Sequence, residues 1–276
     1  MTSPTSHHPS APTPTPTPTV LPLPIRLPPV TVHLTHHPGT TLFSKSIPIP
    51  TDLLLTLSLR AIALIYPAAS STTLPPLASI SLHVRPFEGI AHTTHSHTTC
   101  TDTPPPSDAI PPSGTITSEI HLSSTYIQSV HATNASDVKA TTHEILGVLL
   151  HELTHVWQCY VAAPAPHWIV EGVADYVRLR GGLAARHWRR GVGGNWADGY
   201  ERSGYFLDWC EGKWEGLVGE LTRRPAEETV RGWTGVEVGV LWERYQAWLE
   251  EEGGEAAGVS VPTHGVEVPM PTHEPA

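Results

Sequence analysis

The chain has 276 residues, and 16 Lys and Arg against 26 Asp and Glu give it a formal net charge of −10 at pH 7. An acidic chain without a long basic run is not expected to bind nucleic acid. No apolar run approaches the roughly 18 residues of a membrane-spanning helix, so no membrane partner is expected. Three cysteines are too few for a disulfide scaffold.

Both ends of the chain have low-complexity compositions. Residues 1–29 are rich in Pro and Thr, and residues 251–276 are rich in Gly, Glu and Pro. Neither segment can bury much apolar surface, so we predict two disordered tails around one domain over residues 30–250. The N-terminus shows neither the basic nor the apolar region of a secretory signal, which favours a cytoplasmic protein, expected to be a monomer.

Two kinds of periodicity alternate in the N-terminal half of the domain. Helical spacing predicts a helix from Thr51 or Asp52 to Tyr66, while Pro38-Gly39 is typical of a turn. A polar stretch over residues 88–113 is predicted to be a long loop, typical of a lid or an insertion. Strict alternation of apolar and polar residues predicts three strands, over Val30–Leu34, 79–85 and 117–123.

The C-terminal half is predicted to be helical. Thr141 and Glu144 have the spacing of a capping box and would begin a helix that Pro164 and Pro166 stop. A second helix would end at Gly181-Gly182. Strands with one helix, followed by helices, indicate an α+β fold. This second helix is predicted over residues 167–180, and further helices are predicted over residues 196–213, 215–224 and, after a second capping box at 234–237, up to 249.

His151, Glu152 and His155 form the pattern H-E-x-x-H inside the first of these helices. Residues four apart lie on one face of a helix, so both imidazoles could bind one zinc ion. Glu152 could then reach a water molecule on that ion. Gly147, one turn before His151, costs roughly 1 kcal/mol relative to alanine in a helix, which indicates a close packing partner there.

Glu171 is placed to supply a third ligand. It lies five residues after Pro166, and His155 lies five residues before Tyr160, where the first helix should end. If the proline-containing link reverses the chain, both positions reach the same level on antiparallel helices. Asp175, four residues beyond Glu171, could accept a hydrogen bond from a ligand histidine and hold its tautomer.

Several stretches together resemble one known family. Residues 144–158 (EILGVLLHELTHVWQ) and 168–178 (WIVEGVADYVR) are similar to the basic secretory protein family, also called peptidases of plants and bacteria. Shorter motifs at residues 199–200, 205–209 and 240–245 resemble the following motifs of that family. The resemblance extends over about residues 30–249.

The resemblance implies a zincin-like α+β fold: a small N-terminal β-sheet with a helix, then a mainly helical half that contains the H-E-x-x-H helix. It also implies a zinc-dependent metallopeptidase of the gluzincin type. His151, His155 and Glu171 would be the zinc ligands, Glu152 the general base, and Asp175 the hydrogen-bond partner of a ligand. The acidic chain departs from the family's name, although the resemblance leaves secretion open.

Such an enzyme would hydrolyse a peptide or protein substrate. Glu152 would take a proton from the attacking water and pass it to the leaving amine. The oxyanion needs a further donor, for which Tyr200 and Tyr205 are candidates. Tyr200 is favoured because Gly199-Tyr200 resembles the family's Gly-Tyr pair. The strand around residues 119–123 is expected at the edge of the cleft, where an extended substrate could add.

Other interpretations remain open. His92, His95 and His97 could form a second metal site, although a solvated loop is favoured. Cys159, one turn after His155, could be a ligand, although a buried thiol is favoured. The whole chain could also be a catalytically silent zincin-like binding or defence protein, or a metallohydrolase of non-peptide amides.

Overall fold

A computed structural model describes residue 25 and residues 27–66, 74–97, 116–158 and 165–251. Nearly all of the two predicted tails therefore lies outside the described residues, as do residues 98–113 of the predicted loop and the proline-containing link up to Pro164. The described part has a small sheet in its N-terminal portion and a mostly helical remainder. The predicted α+β class is confirmed.

The sheet has four strands in the order β1-β2-β4-β3. Strands β1, β2 and β4 are parallel to one another, and β3 is antiparallel to β4. The edge position expected for residues 119–123 is wrong, because β4 pairs on both sides and β3 lies at the edge. The strands span Val30–Leu34 (β1), Leu77–Arg85 (β2), Ala91–His97 (β3) and Ile116–Ser123 (β4).

The two faces of the sheet differ sharply in polarity. One face buries aliphatic side chains such as Ile80, Leu82 and Ile120 in the main core. The opposite face is polar and carries one histidine from each strand at matching register. Their rings stack with centroids 4.6 Å (His33–His83), 4.9 Å (His83–His121) and 4.7 Å (His92–His121) apart.

Helices cover the apolar face of the sheet and form the rest of the described part. Among the described residues no single helix is long and apolar enough to cross a membrane, although α1 and α2 as a pair bent by 68° have the necessary length and composition. The helices span Pro38–Ser46 (α1), Pro50–Ile65 (α2), Ser124–Thr133 (α3), Val138–Gln158 (α4), His167–Arg180 (α5), Tyr200–Glu211 (α6), Leu217–Arg223 (α7), Glu227–Thr234 (α8) and Val238–Glu251 (α9), with a 3-10 turn at Trp196–Asp198.

The predicted turn at Pro38-Gly39 is wrong, because these residues begin α1. Proline suits the first turn of a helix, and His37 Nδ1 accepts a hydrogen bond from the Gly39 N–H at 3.1 Å. A Cβ on Gly39 would lie 1.8 Å from the carbonyl oxygen of Ser124. This glycine therefore serves close packing of α1 against α3, and not chain reversal.

The two predicted capping boxes are also wrong. Helix α4 begins at Val138, where Asp137 Oδ1 accepts the N–H groups of Lys139 and Ala140. Thr141 instead donates to the Asp137 carbonyl at 2.8 Å. At the second site, Thr234 closes α8, and Glu237 pairs with Arg231 at 3.0 Å.

Candidate metal centre

Helix α4 presents the two histidines of the H-E-x-x-H pattern on one face. Most of the helix around them is buried, including Val148, Leu149 and Leu153, so its backbone is held on several sides. The two imidazole rings meet edge to face with centroids 4.7 Å apart. His151 Nε2 and His155 Nε2 lie 3.0 Å from each other.

Helix α5 brings Glu171 to the same point. Its Oε2 lies 3.3 Å from His151 Nε2 and 3.8 Å from His155 Nε2. Within the described ranges, His151, His155 and Glu171 are the group of possible ligands whose donor atoms all lie within 4.8 Å of one another. The structure therefore brings together the three residues that the spacing predicted.

The other nitrogen of each imidazole has an acceptor. His151 Nδ1 lies 2.6 Å from Asp175 Oδ1, the contact expected of Asp175, and His155 Nδ1 lies 2.7 Å from Gln158 Oε1. The Gln158 amide orientation follows from its Nε2, which donates to the Val170 carbonyl at 3.0 Å. Because both acceptors require Nδ1–H, the two Nε2 atoms of the neutral rings offer lone pairs to each other.

Three lone pairs that converge at 3.0 to 3.8 Å repel one another unless positive charge lies between them. Ligands around a tetrahedral ion with bonds of about 2.0–2.1 Å are separated by roughly 3.3 Å, so these distances fit one shared cation. Two imidazoles and one carboxylate form a donor set that divalent transition metals accept. The three residues could therefore hold a metal ion.

The pKa values of the candidate ligands indicate the same demand for positive charge. Burial would lower the pKa of His151, but the charge of Asp175 and its hydrogen bond, aided by Glu171 and Glu152, raise that pKa to about 10. Burial would raise the pKa of Glu171, whereas both histidines hold it far below its ordinary value. A proton on His151 Nε2 and a metal ion would use the same lone pair.

Glu152 is 5% exposed and lies beside the three donors in the same cleft. Its Oε2 accepts a hydrogen bond from Thr93 Oγ1 at 2.7 Å, and the same hydroxyl lies 3.2 Å from the Glu152 carbonyl oxygen. Thr93 belongs to β3, which the sequence interpretation assigned to a loop. Residues 91–97 show no apolar alternation, so the sequence contains no local signal for this strand.

The three histidines of the predicted loop lie on β3, so that prediction is wrong within residues 91–97. His95 Nδ1 contacts Ser118 Oγ at 2.9 Å, and burial, together with His155 and His97, lowers the pKa of His95 to about 4. His92 belongs to the stacked row on the outer face. In the described part of the chain these histidines do not form a metal-binding group, and Cys159 lies outside the described residues.

Tyr200 begins α6 with a left-handed backbone (φ 53°) after Gly199 (φ 74°). Its side chain lies along the cleft of the three donors, and it is 57% exposed. Its ring contacts His167 edge to face, with centroids 5.7 Å apart. Tyr205 packs against Trp188 and Arg190, and of the two tyrosines only Tyr200 lines the cleft.

The site lies in a cleft of about 800 Å³ between β3, α4, α5 and the start of α6. No curated protein and no solved structure matches the chain significantly. The model of one family, described as peptidase of plants and bacteria, matches residues 28–245. The matched range contains every strand, helices α1 to α8 and the first part of α9, together with all residues of the candidate centre. The chain therefore belongs to the basic secretory protein family, the peptidases of plants and bacteria.

Proposed function

We propose that this peptidase is zinc-dependent and that His151, His155 and Glu171 are its metal ligands. The observation that carries the proposal is the convergence of three lone pairs, each held in place by the surrounding fold, beside a buried carboxylate. Two histidines and one carboxylate are a known ligand set of catalytic zinc, which leaves a position open for substrate or water. A purely structural ion would have no use for the carboxylate of Glu152.

When bound, zinc would lower the pKa of a water molecule towards about 7 and polarise the scissile carbonyl. Glu152, the carboxylate next to the proposed ligands, is the general base. Thr93 holds its Oε2 and leaves its Oε1 to face the water. Its Oε1 accepts the proton of the attacking water. The same carboxyl group then donates that proton to the amine that leaves.

Other residues of the chain hold the reacting groups in place. Asp175 and Gln158 hold the two imidazoles through Nδ1, so that each Nε2 faces the centre. The hydroxyl of Tyr200 is the proposed donor to the oxyanion, because the side chain is exposed and lies along the cleft. Its left-handed backbone is a strained conformation, of the kind that is often found at functional sites.

The proposed substrate is an extended segment of a peptide or protein. Strand β3 lies at the edge of the sheet, and Ile90, Ala91 and Thr93 line the cleft. A strand with an unpaired edge can bind an extended peptide through main-chain hydrogen bonds. Thr93 would then connect the strand that aligns the substrate to the base that acts on it.

The variant Glu152→Gln tests the assignment of the base. It should keep one zinc per chain in metal analysis and lose peptide hydrolysis by at least about 100-fold, the typical contribution of a general base. The matched control is Glu228→Gln, an exposed glutamate of α8. Hydrolysis that survives in Glu152→Gln would remove this base from the mechanism.

The same assay separates the alternatives. A silent binding protein would hold zinc without cleaving any peptide in a library. A hydrolase of non-peptide amides would cleave small amides, with dependence on Glu152, but not peptides. A zinc content near zero in protein purified without chelators, and after incubation with zinc, would contradict the metal assignment itself.

A further inference from the structure

The cleft contains one carboxylate that neither the proposed mechanism nor a partner within the described residues engages. Glu201, in the first turn of α6, lines the cleft together with the three donors. The other carboxylates along the cleft have partners. Glu144 accepts from Arg178 Nη2 and from the Tyr126 hydroxyl, each at 2.9 Å. Glu152 accepts from Thr93, Glu171 faces both histidines, and Asp175 accepts from His151.

The carboxylate of Glu201 has neither a hydrogen bond nor an ion pair with any residue in the described ranges. Its neighbour Arg202 is engaged by Asp198 and by the Gly193 carbonyl. Arg189 donates to the carbonyls of Arg186 and Trp188. Outside the described ranges the sequence contains a single Lys or Arg, Arg26. The chain itself thus offers few cations for this carboxylate.

The pKa of Glu201 is raised, as expected of a carboxylate that lacks a nearby cation to balance its charge. Burial raises its pKa, and the negative charge of Asp175 raises it further. The attraction of His187, Arg202 and Arg189 acts in the opposite direction and is outweighed. A cation brought by a ligand would offset both the desolvation and the repulsion, because an opposite charge favours the charged carboxylate.

Close packing fixes the backbone of Glu201 relative to the centre. A Cβ on Gly204 would lie 3.0 Å from Asp175 Cβ, and a Cβ on Gly172 would lie 2.7 Å from Ser203 Cβ. Helices α5 and α6 therefore approach to backbone contact one turn beyond Glu201. A side chain carried by a packed helix is positioned more precisely for a ligand than one on a mobile loop.

We propose that Glu201 is a specificity-determining residue, which accepts the Lys or Arg side chain of a substrate residue near the scissile bond. The inference rests on the proposed peptidase function, which it deepens by naming the substrate class. The formal charge of −10 favours encounters with such basic substrates. The Lys or Arg side chain of the substrate would form the ion pair that Glu201 lacks within the described part of the chain.

The test compares peptides that differ only by Lys or Gln, with the substitution moved through the positions on both sides of the scissile bond. At pH 8, where ordinary histidines are uncharged, wild-type kcat/KM should favour Lys at one position by about tenfold, a typical worth of one charge-assisted contact. The ratio should approach one in Glu201→Gln and fall below one in Glu201→Lys. Glu228→Gln, an exposed glutamate outside the cleft, should keep the wild-type ratio.

A binding measurement makes this result independent of turnover. In the Glu152→Gln background, isothermal titration calorimetry should show tighter binding of the Lys peptide, and the added change Glu201→Gln should abolish the difference. A Lys preference in binding without turnover in the wild type would contradict the proposed function but not this subsite. Equal binding of the two peptides, no binding of either, or a wild-type ratio retained in Glu201→Gln would overturn the inference.

Discussion

The hydroxyl of Thr93 on β3 donates to the Glu152 carboxylate on α4, with Thr93 Oγ1 2.7 Å from Glu152 Oε2. The same hydroxyl lies 3.2 Å from the backbone carbonyl of Glu152. A charged acceptor makes this one of the stronger kinds of hydrogen bond in proteins. It engages one carboxylate oxygen and joins the edge strand to the helix that carries the proposed ligands.

Thr93→Val removes the donor and keeps the shape of the side chain. We expect kcat to fall about tenfold or more, because the carboxylate loses the contact that orients its other oxygen, and a small misplacement of a reacting group is costly. KM should change little, and Thr93→Ser should recover most of kcat. Steady-state kinetics on one peptide checks this. A loss of kcat shared equally by the Ser variant would contradict the role of the hydroxyl.

Asp175→Asn removes the charge that faces His151 Nδ1 at 2.6 Å. The imidazole then becomes a weaker donor to a metal, and substitutions of this kind cost about 10–100-fold in metal affinity. Competition with a chromogenic chelator measures the zinc Kd. Asp198→Asn, an exposed aspartate, is the control with the same change of charge. Equal zinc affinities for the two variants would contradict the prediction.

Gly147→Ala should destabilise the fold although alanine is the better helix former. A Cβ at this position would lie 2.6 Å from Arg178 Nε and 2.6 Å from the Leu183 carbonyl oxygen. Arg178 cannot easily move, because it pairs with Glu144 at 2.9 Å. We expect a loss of about 1–3 kcal/mol, as for other overpacked sites, measured by urea unfolding.

Gly232→Ala in α8 is the matched control. No atom lies within 4 Å of a Cβ built there, so only helix propensity should act. We expect a gain of about 0.5–1 kcal/mol. If both variants shift the unfolding free energy in the same direction, the close contact at Gly147 does not govern its stability.

The stacked histidine row should make the fold less stable in mild acid. Burial, followed by His92, Arg85 and His83, lowers the pKa of His121, and Glu119 only partly opposes this. The unfolded chain then binds the proton more readily, so the stability is full above the ordinary histidine pKa of about 6.5 and is lost as pH falls below it.

His121→Gln removes this titration. The drop in Tm between pH 7.5 and pH 5 should be smaller than in the wild type, by about 2 °C. His36→Gln, which removes an exposed histidine outside the row, should leave the drop unchanged. Calorimetry at the two pH values measures both. A drop of the same size in His121→Gln would refute the contribution of the row.

Local patterns predicted the elements whose residues repeat over several turns. Helix α4 and its two histidines follow from helical spacing alone, and the level of Glu171 on α5 follows from counting residues on two helices. The close approach at Gly147 was also indicated by a glycine inside a periodic helix. These features depend on sequence neighbours, which is why the sequence contains them.

Features that depend on distant partners were missed. The inward side chains of β3, such as Thr93 and His95, face a polar cleft and not the core, so the strand lacked the apolar alternation that marks the other three. Gln158 and Arg178 take their roles from contacts 12 and 34 residues away in the chain. Such partners become visible only once the helices and the sheet have packed together.

The proposed ligands all lie on α4 and α5, whereas the base takes its hydrogen bond from the sheet. In the proposed mechanism, metal retention and turnover therefore depend on different parts of the fold. Detachment of the sheet edge would leave a protein that still carries its ion but has lost its reactivity. We therefore expect the metal content of a preparation to be a poor measure of its active fraction, and a titrating inhibitor that needs an intact base to count active molecules more faithfully.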